Sequence, residues 1–566
     1  MEDFRKTAPA PLAPVAFNIP QPFETTLANG LKVVVFEDRR LPLVSFRLIF
    51  RTGDIHEPSD AVGLNSAVAS MLSEGTESYS SKHLAEEIER LGAHLSASSG
   101  SDTTSIAASS LTLYASDILR LMAEMILKPT FPEEELDLYR RNTIEGLKFQ
   151  RSQANFLADE QVSRIIYGNH PYSKVSPEAE DVEKITREML VRHQARVFIP
   201  NNAVFVVVGD VDKDDFVKEI ETHLAEWESG EIESFAFDKV PSRQEKTLTI
   251  VDRKGSAQSN IVLANPAIER NHEDYFRALV MNQILGAGAS SRIFMNLREE
   301  KGYTYGAYSK FDSRRLAGAF EATAEVRTAV TGDSLREFFF ELNRIRDEKV
   351  SEEELEDAKN FLSGVFPIRA ETQEGLTNLI VQQQIYDLPA DYLQTYRERV
   401  NEITIEDVAA AAQKYVQPEQ MAIVIVGDAE EILAQSKDYA ANIEIYDTEN
   451  NPQDISSYGK PMEAPTIELT GSWDLTIDFQ GQQIPVSLTL EQTDGTVSGK
   501  LESMLGTGKI ENGKVAGNDF SAVATTEMAG QTLEISINGL LENEELNGTL
   551  SAPMFPMPLT FSGKKK

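Results

Sequence analysis

Two stretches decide how this chain folds: "ITREMLVRHQARVFIPNNAVFVVVGD", from Ile185 to Asp210, and "ITIEDVAAAAQKYVQPEQMAIVIVGD", from Ile403 to Asp428. They align without a gap at a constant offset of 218 residues (403 − 185), which lays Pro200 on Pro418 and Gly209 on Gly427. Each reads as helix, turn and buried strand. Thr186 and Thr404 stand at N-cap positions, where a side-chain oxygen satisfies an otherwise orphaned amide, and β-branched runs precede each Gly-Asp. Upstream, "PEEEL" at Pro132 and "SEEEL" at Ser351 open two long polar helices at an offset of 219 (351 − 132). Solenoid repeats recur every roughly 20–50 residues, so a period this long marks a tandem pair of whole domains.

Within each copy strands come first, helices follow and a strand closes. The expected class is therefore α+β, with helices packed on one face of a mostly antiparallel sheet. The predicted organisation is an extended Pro-rich arm over residues 1–20, a first α+β domain over 21–230, a linker over 231–244, a second α+β domain over 245–445, a polar Pro-containing linker over 446–464, and a small all-β domain over 465–566. From Gly471 onward apolar and polar residues alternate, as in "SWDLTIDF" and "TLEISINGLL", with turn residues every eight to twelve positions. That pattern reads as a small barrel or sandwich. It carries no constellation suited to chemistry and is expected to be an accessory module.

Composition excludes several classes. The 566 residues hold 54 basic and 90 acidic side chains, a net charge of −36 that repels nucleic acid and anionic membrane surfaces. The acidic residues are spread over amphipathic stretches such as "SEEELEDAK" and read as solvated outer faces. With no cysteine there is neither a disulfide framework nor a thiolate zinc site. No run approaches the roughly 18 apolar residues of a membrane helix. The N-terminus lacks the apolar core of a signal peptide, so the compartment stays open between the cytoplasm and a periplasm reached through a leader not included here.

The stretch "GLNSAVASMLSEGT", residues 63–76, has the apolar frame of a buried helix in Leu64, Ala67, Val68, Met71 and Leu72 and is expected to end at Gly75. Together with "ANGLKVVVFEDRRLPLVSFRLIFRTGD" before it, "HPYSK" at His170 and "LREEKGYTYGAYS" in the second copy, it resembles the pitrilysin/insulinase superfamily of zinc peptidases. The likeness is narrowest to the short-chain bacterial branch related to the mitochondrial processing peptidase, and it covers roughly residues 20–440. The C-terminal β domain lies outside it.

The resemblance implies His-x-x-Glu-His on that helix, two imidazoles binding zinc and a Glu activating water. The corresponding positions are Ser66, Ala69 and Ser70, so the departure is complete. The nearest carboxylate to the family's third ligand is Glu145, in "YRRNTIEGLK", and one carboxylate cannot hold a zinc that wants three protein ligands. The seven histidines, His56, His83, His94, His170, His193, His223 and His272, never recur at a spacing of three or four and read as surface or structural. No metal or other cofactor is expected in this chain.

In the second copy, "NQILGAGASSRIFMNLREEKGYTYGAYSKF" reads as a helix, a Gly-rich turn, a second helix stopped at Gly302 and a strand. Gly286 and Gly288 lack both a following Gly-Lys-Ser/Thr and a preceding strand, so a turn between helices accounts for them better than a phosphate loop. Arg298 and Tyr305 stand seven apart. Taken alone, Arg298 is a surface residue pairing with Glu299 or Glu300, and Tyr305 is a strand aromatic. The resemblance gives them another role: an Arg and a Tyr at this spacing donate hydrogen bonds to the scissile carbonyl as charge builds on its oxygen.

A chain without zinc ligands that retains this pair is expected to be the zinc-free subunit of a heterodimeric peptidase. Its partner would be a homologous subunit bearing His-x-x-Glu-His and zinc, and its substrates would be unfolded peptides lying as an added strand on a sheet edge. "SDTTSIAASSLTL", residues 101–113, reads either as such an edge or as a plain half-exposed strand. The alternative is a non-catalytic structural or peptide-binding member of the superfamily, like the core subunits of respiratory complexes.

Overall fold

The computed structural model describes residues 17–566 except 59, 459–466, 480–481, 494, 504–505, 529–530, 543 and 553–557. Most of the predicted arm, and residues 459–464 of the predicted second linker, lie outside the described residues. The chain divides into two compact units, one ending at Ile455 and the other starting at Ser456.

The first unit holds two sheets. One is built from β1 (Phe23–Thr26), β2 (Lys32–Glu37), β3 (Leu43–Phe50), β4 (His94–Ser99), β5 (Thr104–Leu111) and β6 (Ala203–Gly209), in the order β1-β2-β6-β3-β5-β4. The other takes β7 (Thr247–Asp252), β8 (Gln258–Ala267), β9 (Thr304–Ser313), β10 (Gly318–Arg327), β11 (Ala422–Gly427), β12 (Asn442–Tyr446) and β13 (Pro452–Gln453), in the order β13-β12-β7-β11-β8-β10-β9. The runs β2-β6-β3-β5-β4 and β7-β11-β8-β10-β9 are the same order, so the sequence repeat is a repeat of topology. In both copies the closing strand lies parallel to one neighbour and antiparallel to the other: β6 between β2 and β3, β11 between β7 and β8.

The repeated Gly-Asp has a steric cause at Gly209. Its φ is 153°, and a Cβ there would meet the Leu43 carbonyl oxygen at 2.3 Å as the strand end crosses β3. The N-caps also form: Thr186 Oγ1 accepts from the Met189 amide and Thr404 Oγ1 from the Asp407 amide. "PEEEL" and "SEEEL" open the helices Glu133–Arg151 and Glu352–Arg369.

The two copies are bound by exchange. Helix Ala154–Tyr167 of the first copy packs on β8 and β11 of the second, while the equivalent helix Gln373–Ile385 of the second packs on β3 and β6 of the first. The first of these contacts is apolar, with Leu157, Ala158, Val162 and Ile166 buried against Val262, Ala264, Val424 and Val426. The second is mixed: Gln373 donates to the Asp38 carbonyl, Glu374 takes Arg47 and Ser45, and Arg51 reaches the Gln384 carbonyl and Asp387.

The stretch 101–113 is not a sheet edge. β5 lies between β3 and β4, because the turn after Ser99 folds β4 back along it, and the free edge belongs to β4. The helix in 63–76 stops at Met71, a turn before Gly75. Residues 228–244 cross between the copies without helix or strand, whereas β12 and β13 continue the second sheet to Gln453.

The second unit is a closed barrel of eight strands, from β14 (Gly471–Phe479) to β21 (Leu559–Lys565), each antiparallel to the next and sealed by the pairing of β14 with β21. Trp473, Leu475 and Ile477 point into a packed apolar interior while Asp474 faces out. An interior of that kind is the reverse of a membrane barrel, whose apolar band faces lipid.

Candidate functional site

The helix Leu64–Met71 carries Ser66, Ala69 and Ser70, the positions expected to correspond to the zinc motif. Ser66 is half-buried, Ala69 is buried and Ser70 is exposed, so the three positions offer two hydroxyls and a methyl. What surrounds them is a polar network closed on itself. Asn65, fully buried, donates to Ser99 Oγ at 2.7 Å and to Thr104 Oγ1 at 2.6 Å, and its Oδ1 lies 3.0 Å from His193 Nε2. That geometry places the proton of His193 on Nε2 and leaves Nδ1 to accept from Arg196 at 3.3 Å. Burial, and then the Arg196 charge, pull the imidazole down to about 4, so the ring is neutral at physiological pH.

Two carboxylates complete the network. Glu57 accepts the amides of Gly63 and Asn65 and so caps the helix from outside, while burial pushes it up to about 8. Asp54 accepts from Ser99 Oγ at 2.6 Å and is likewise raised by burial. Both border a cavity of about 280 Å³ together with Ser66, Ser101 and Lys174. Glu145 stands apart, exposed and paired with Lys148 at 2.7 Å. A catalytic zinc requires three protein ligands converging on one point. Among the described residues no group of three or more His, Asp or Glu is placed to hold a metal, so the residues present do not fit zinc.

Arg298 and Tyr305 lie elsewhere. The residues from Met295 to Glu300 form a π-helical turn, a rare geometry that recurs at functional sites, and Arg298 is inside it. Its guanidinium lies over the Phe294 ring at 4.8 Å and near Glu299 at 3.6 Å. Tyr305 follows on β9, one of the two edge strands of the second sheet and the counterpart of β4, and is 91% exposed. The turn packs on β9 and on helix Thr331–Asp347, whereas the Leu64–Met71 helix packs on β4, β5 and the Arg187–Val197 helix. The structure thus brings Arg298 and Tyr305 to adjoining elements of the second copy and leaves Ser66, Ala69 and Ser70 on a helix of the first. The Gly-rich turn before them is explained by close packing: a Cβ on Gly286 would meet Ser309 Oγ at 2.2 Å.

The Asp54, Glu57, Asn65 and His193 network did not stand out in the sequence. Its one local signal is Asn65, a polar residue set directly beside the apolar frame of a buried helix.

Two family models match this body: "Insulinase (Peptidase family M16)" over residues 32–176 and "Peptidase M16 inactive domain" over residues 184–362. The chain belongs to the M16 peptidase family. It is a member without the zinc motif, and curated relatives include proteins named for either condition. It is 25% identical over 352 residues to an uncharacterized zinc protease, YmxG, of Bacillus subtilis, covering 61% of this chain and 84% of that protein. It is 23% identical over 405 residues to a non-peptidase homolog, YmxG, of Helicobacter pylori, covering 71% and 93%. Among solved structures, a peptidase M16 inactive domain from Pseudomonas fluorescens matches with a TM-score of 0.67 at 28% identity, over 72% of this M16 chain and 98% of that one. Among the described residues no helix is long and apolar enough to cross a membrane.

Proposed function

We propose that this M16 protein is the zinc-free subunit of a two-chain peptidase, supplying Arg298 and Tyr305 to the active site of a homologous partner that carries His-x-x-Glu-His and zinc. The observation that carries the reading is the setting of the pair: an arginine in a π-helical turn that packs on the edge strand bearing an almost fully exposed tyrosine, neither one spent on the core. A hydroxyl on a rigid strand and a guanidinium on a packed helix are suited to hold a substrate carbonyl and to donate more strongly as its oxygen gains charge. The names of the inactive-domain and non-peptidase relatives support a role that does not require zinc in this chain. Unfolded peptides are the substrate class.

The test is turnover of a reconstituted pair, co-expressed with the M16 subunit that bears the zinc motif. Tyr305→Phe removes one donor and leaves the ring, so kcat should fall on the order of a hundredfold. Arg298→Ala should act in the same direction and raise KM. Elution volume and the partner's zinc content should not change. Full turnover in both variants, with the dimer intact, would replace this reading with a non-catalytic scaffold.

A further inference from the structure

Residues 228–244, as they cross between the copies, roof a cavity of about 510 Å³ that none of the roles above uses. Its walls come from the end of β3, the end of the Arg187–Val197 helix and the β9–β10 hairpin, and they bring together Arg51, Arg196 and Arg315 with the apolar side chains of Phe235, Phe237 and Leu316. The three guanidiniums share the lining with two carboxylates, Glu231 and Glu233, so the cavity is a cationic excess in a chain with a net charge of −36.

The three are not equally committed. Arg51 is spent on Asp387 at 2.8 Å and on the Gln384 carbonyl. Arg196 shares itself between His193 and, at 3.5 Å, Glu233 on the rim. Arg315 is half-buried, and its side chain makes no ion pair within 4.0 Å among the described residues. Only its backbone amide is engaged, by Asp102. The neighbouring Arg314 shows the contrast: it is paired with Asp312 at 2.7 Å and stacked on Tyr167 and Tyr172 at 5.0 and 4.9 Å. A half-buried guanidinium left without a carboxylate, in a protein with 90 of them, is a donor fork lacking its acceptor.

We propose that this cavity binds a carboxylate attached to an apolar or aromatic group, with Arg315 taking the carboxylate, Arg196 assisting, and the Phe235, Phe237 and Leu316 side chains covering the apolar part. The cavity is large enough for about one amino-acid side chain with its terminal carboxylate, within the size range of small-ligand sites. Two sources share that chemistry, the C-terminal residue of a peptide and a free small acid. The site does not depend on the zinc-bearing partner.

Calorimetric titration of the isolated full chain separates the cases. The probes are a tetrapeptide ending in phenylalanine with a free carboxylate, the same peptide as its C-terminal amide, and N-acetylphenylalanine. The free-acid peptide should bind, and the amide should bind at least tenfold more weakly, because a charge-assisted hydrogen-bond pair is lost. Binding of N-acetylphenylalanine as tight as the peptide assigns the site to small acids; weaker binding assigns it to peptide ends. Arg315→Gln should lower the affinity of the free acid tenfold or more with no change in unfolding midpoint, since the side chain holds no ion pair. Phe237→Ala should weaken both acids alike. Equal affinity of acid and amide, unchanged affinity in Arg315→Gln, or no heat from any probe at millimolar concentration would overturn the proposal.

Discussion

The two copies share a strand order and differ in where they keep their polar side chains. In the first, Asp54, Glu57, Asn65 and His193 are turned inward and bonded to one another around a helix that lacks metal ligands. In the second, edge strand β9 leaves Tyr305 exposed, and a π-helical turn bearing Arg298 packs on that strand. Duplication supplied one scaffold twice. The inward set is bound into the fold, and the outward tyrosine is left exposed, as the proposed role requires. Burial with satisfied hydrogen bonds accounts for the first set as structure, whereas packing does not account for the exposed Tyr305 of the second.

That contrast breaks most visibly at Asn65. Asn65→Ala leaves buried His193 Nε2 without its acceptor and takes one donor from Ser99 and Thr104, which keep Asp54 and the Thr52 carbonyl, and the expected cost is about 2 kcal/mol or more in chemical unfolding. A loss below about 1 kcal/mol would mean the network is wet and adaptable, and the inward half of the comparison would fail.

A pH series sharpens the same point, because two groups of the network move in opposite directions. His193 is held down to about 4, so its contribution is intact above about 6.5 and is lost as pH falls from there toward 4, where the unfolded chain takes up a proton that the fold resists. Glu57 is held up to about 8, so its contribution is intact below about 4.5 and is lost as pH rises through 8. Between roughly 6.5 and 8 only the Glu57 slope remains, and stability should fall by an amount on the order of 1–2 kcal/mol. Glu57→Gln should flatten that window while leaving the acid limb due to His193. A profile unchanged by Glu57→Gln would show the carboxylate already ionised by its two amide donors.

The outward set should be nearly silent in the same measurement. Tyr305→Ala should shift the unfolding free energy by no more than about 0.5 kcal/mol, since the ring is exposed. A loss several times larger would make Tyr305 a packing residue and remove the support for its catalytic role. Smallest of all is Glu145→Ala, which breaks only an exposed pair with Lys148 and should change neither the unfolding midpoint nor turnover of a reconstituted pair.

Much of the fold was legible because duplication writes the same physics twice: β-branched runs before Gly209 and Gly427, N-capping threonines, acidic helix starts. That the chain has no His-x-x-Glu-His was legible directly, since its seven histidines never recur at a spacing of four. Other features depended on distance in the chain. His193 and Asn65 are partners across 128 positions, and no local pattern announces that pairing. The π-helical turn around Arg298 has the sequence of an ordinary amphipathic helix, and only its packing against β9 and the Thr331–Asp347 helix reveals the extra residue. The assignment of the edge to β4 instead of β5 turned on a hairpin whose register is set by tertiary packing.

The exchange of helices between the copies also sets a schedule for synthesis. When β6 has emerged from the ribosome, the first sheet is complete in strands, yet the helix that covers one of its faces ends only at Ile385, in the second copy. At translation rates of roughly 5–20 residues per second, that face waits on the order of 10–30 s for its cover. Arg47, Ser45 and Arg51 lie on it, among valines that the cover will bury, and they are polar enough to keep an uncovered β surface hydrated during the wait. The second sheet meets no such delay, because the helix Ala154–Tyr167, apolar on the face it buries, is already made when β7 appears. The mixed character of one contact and the oily character of the other match the order in which a ribosome delivers them.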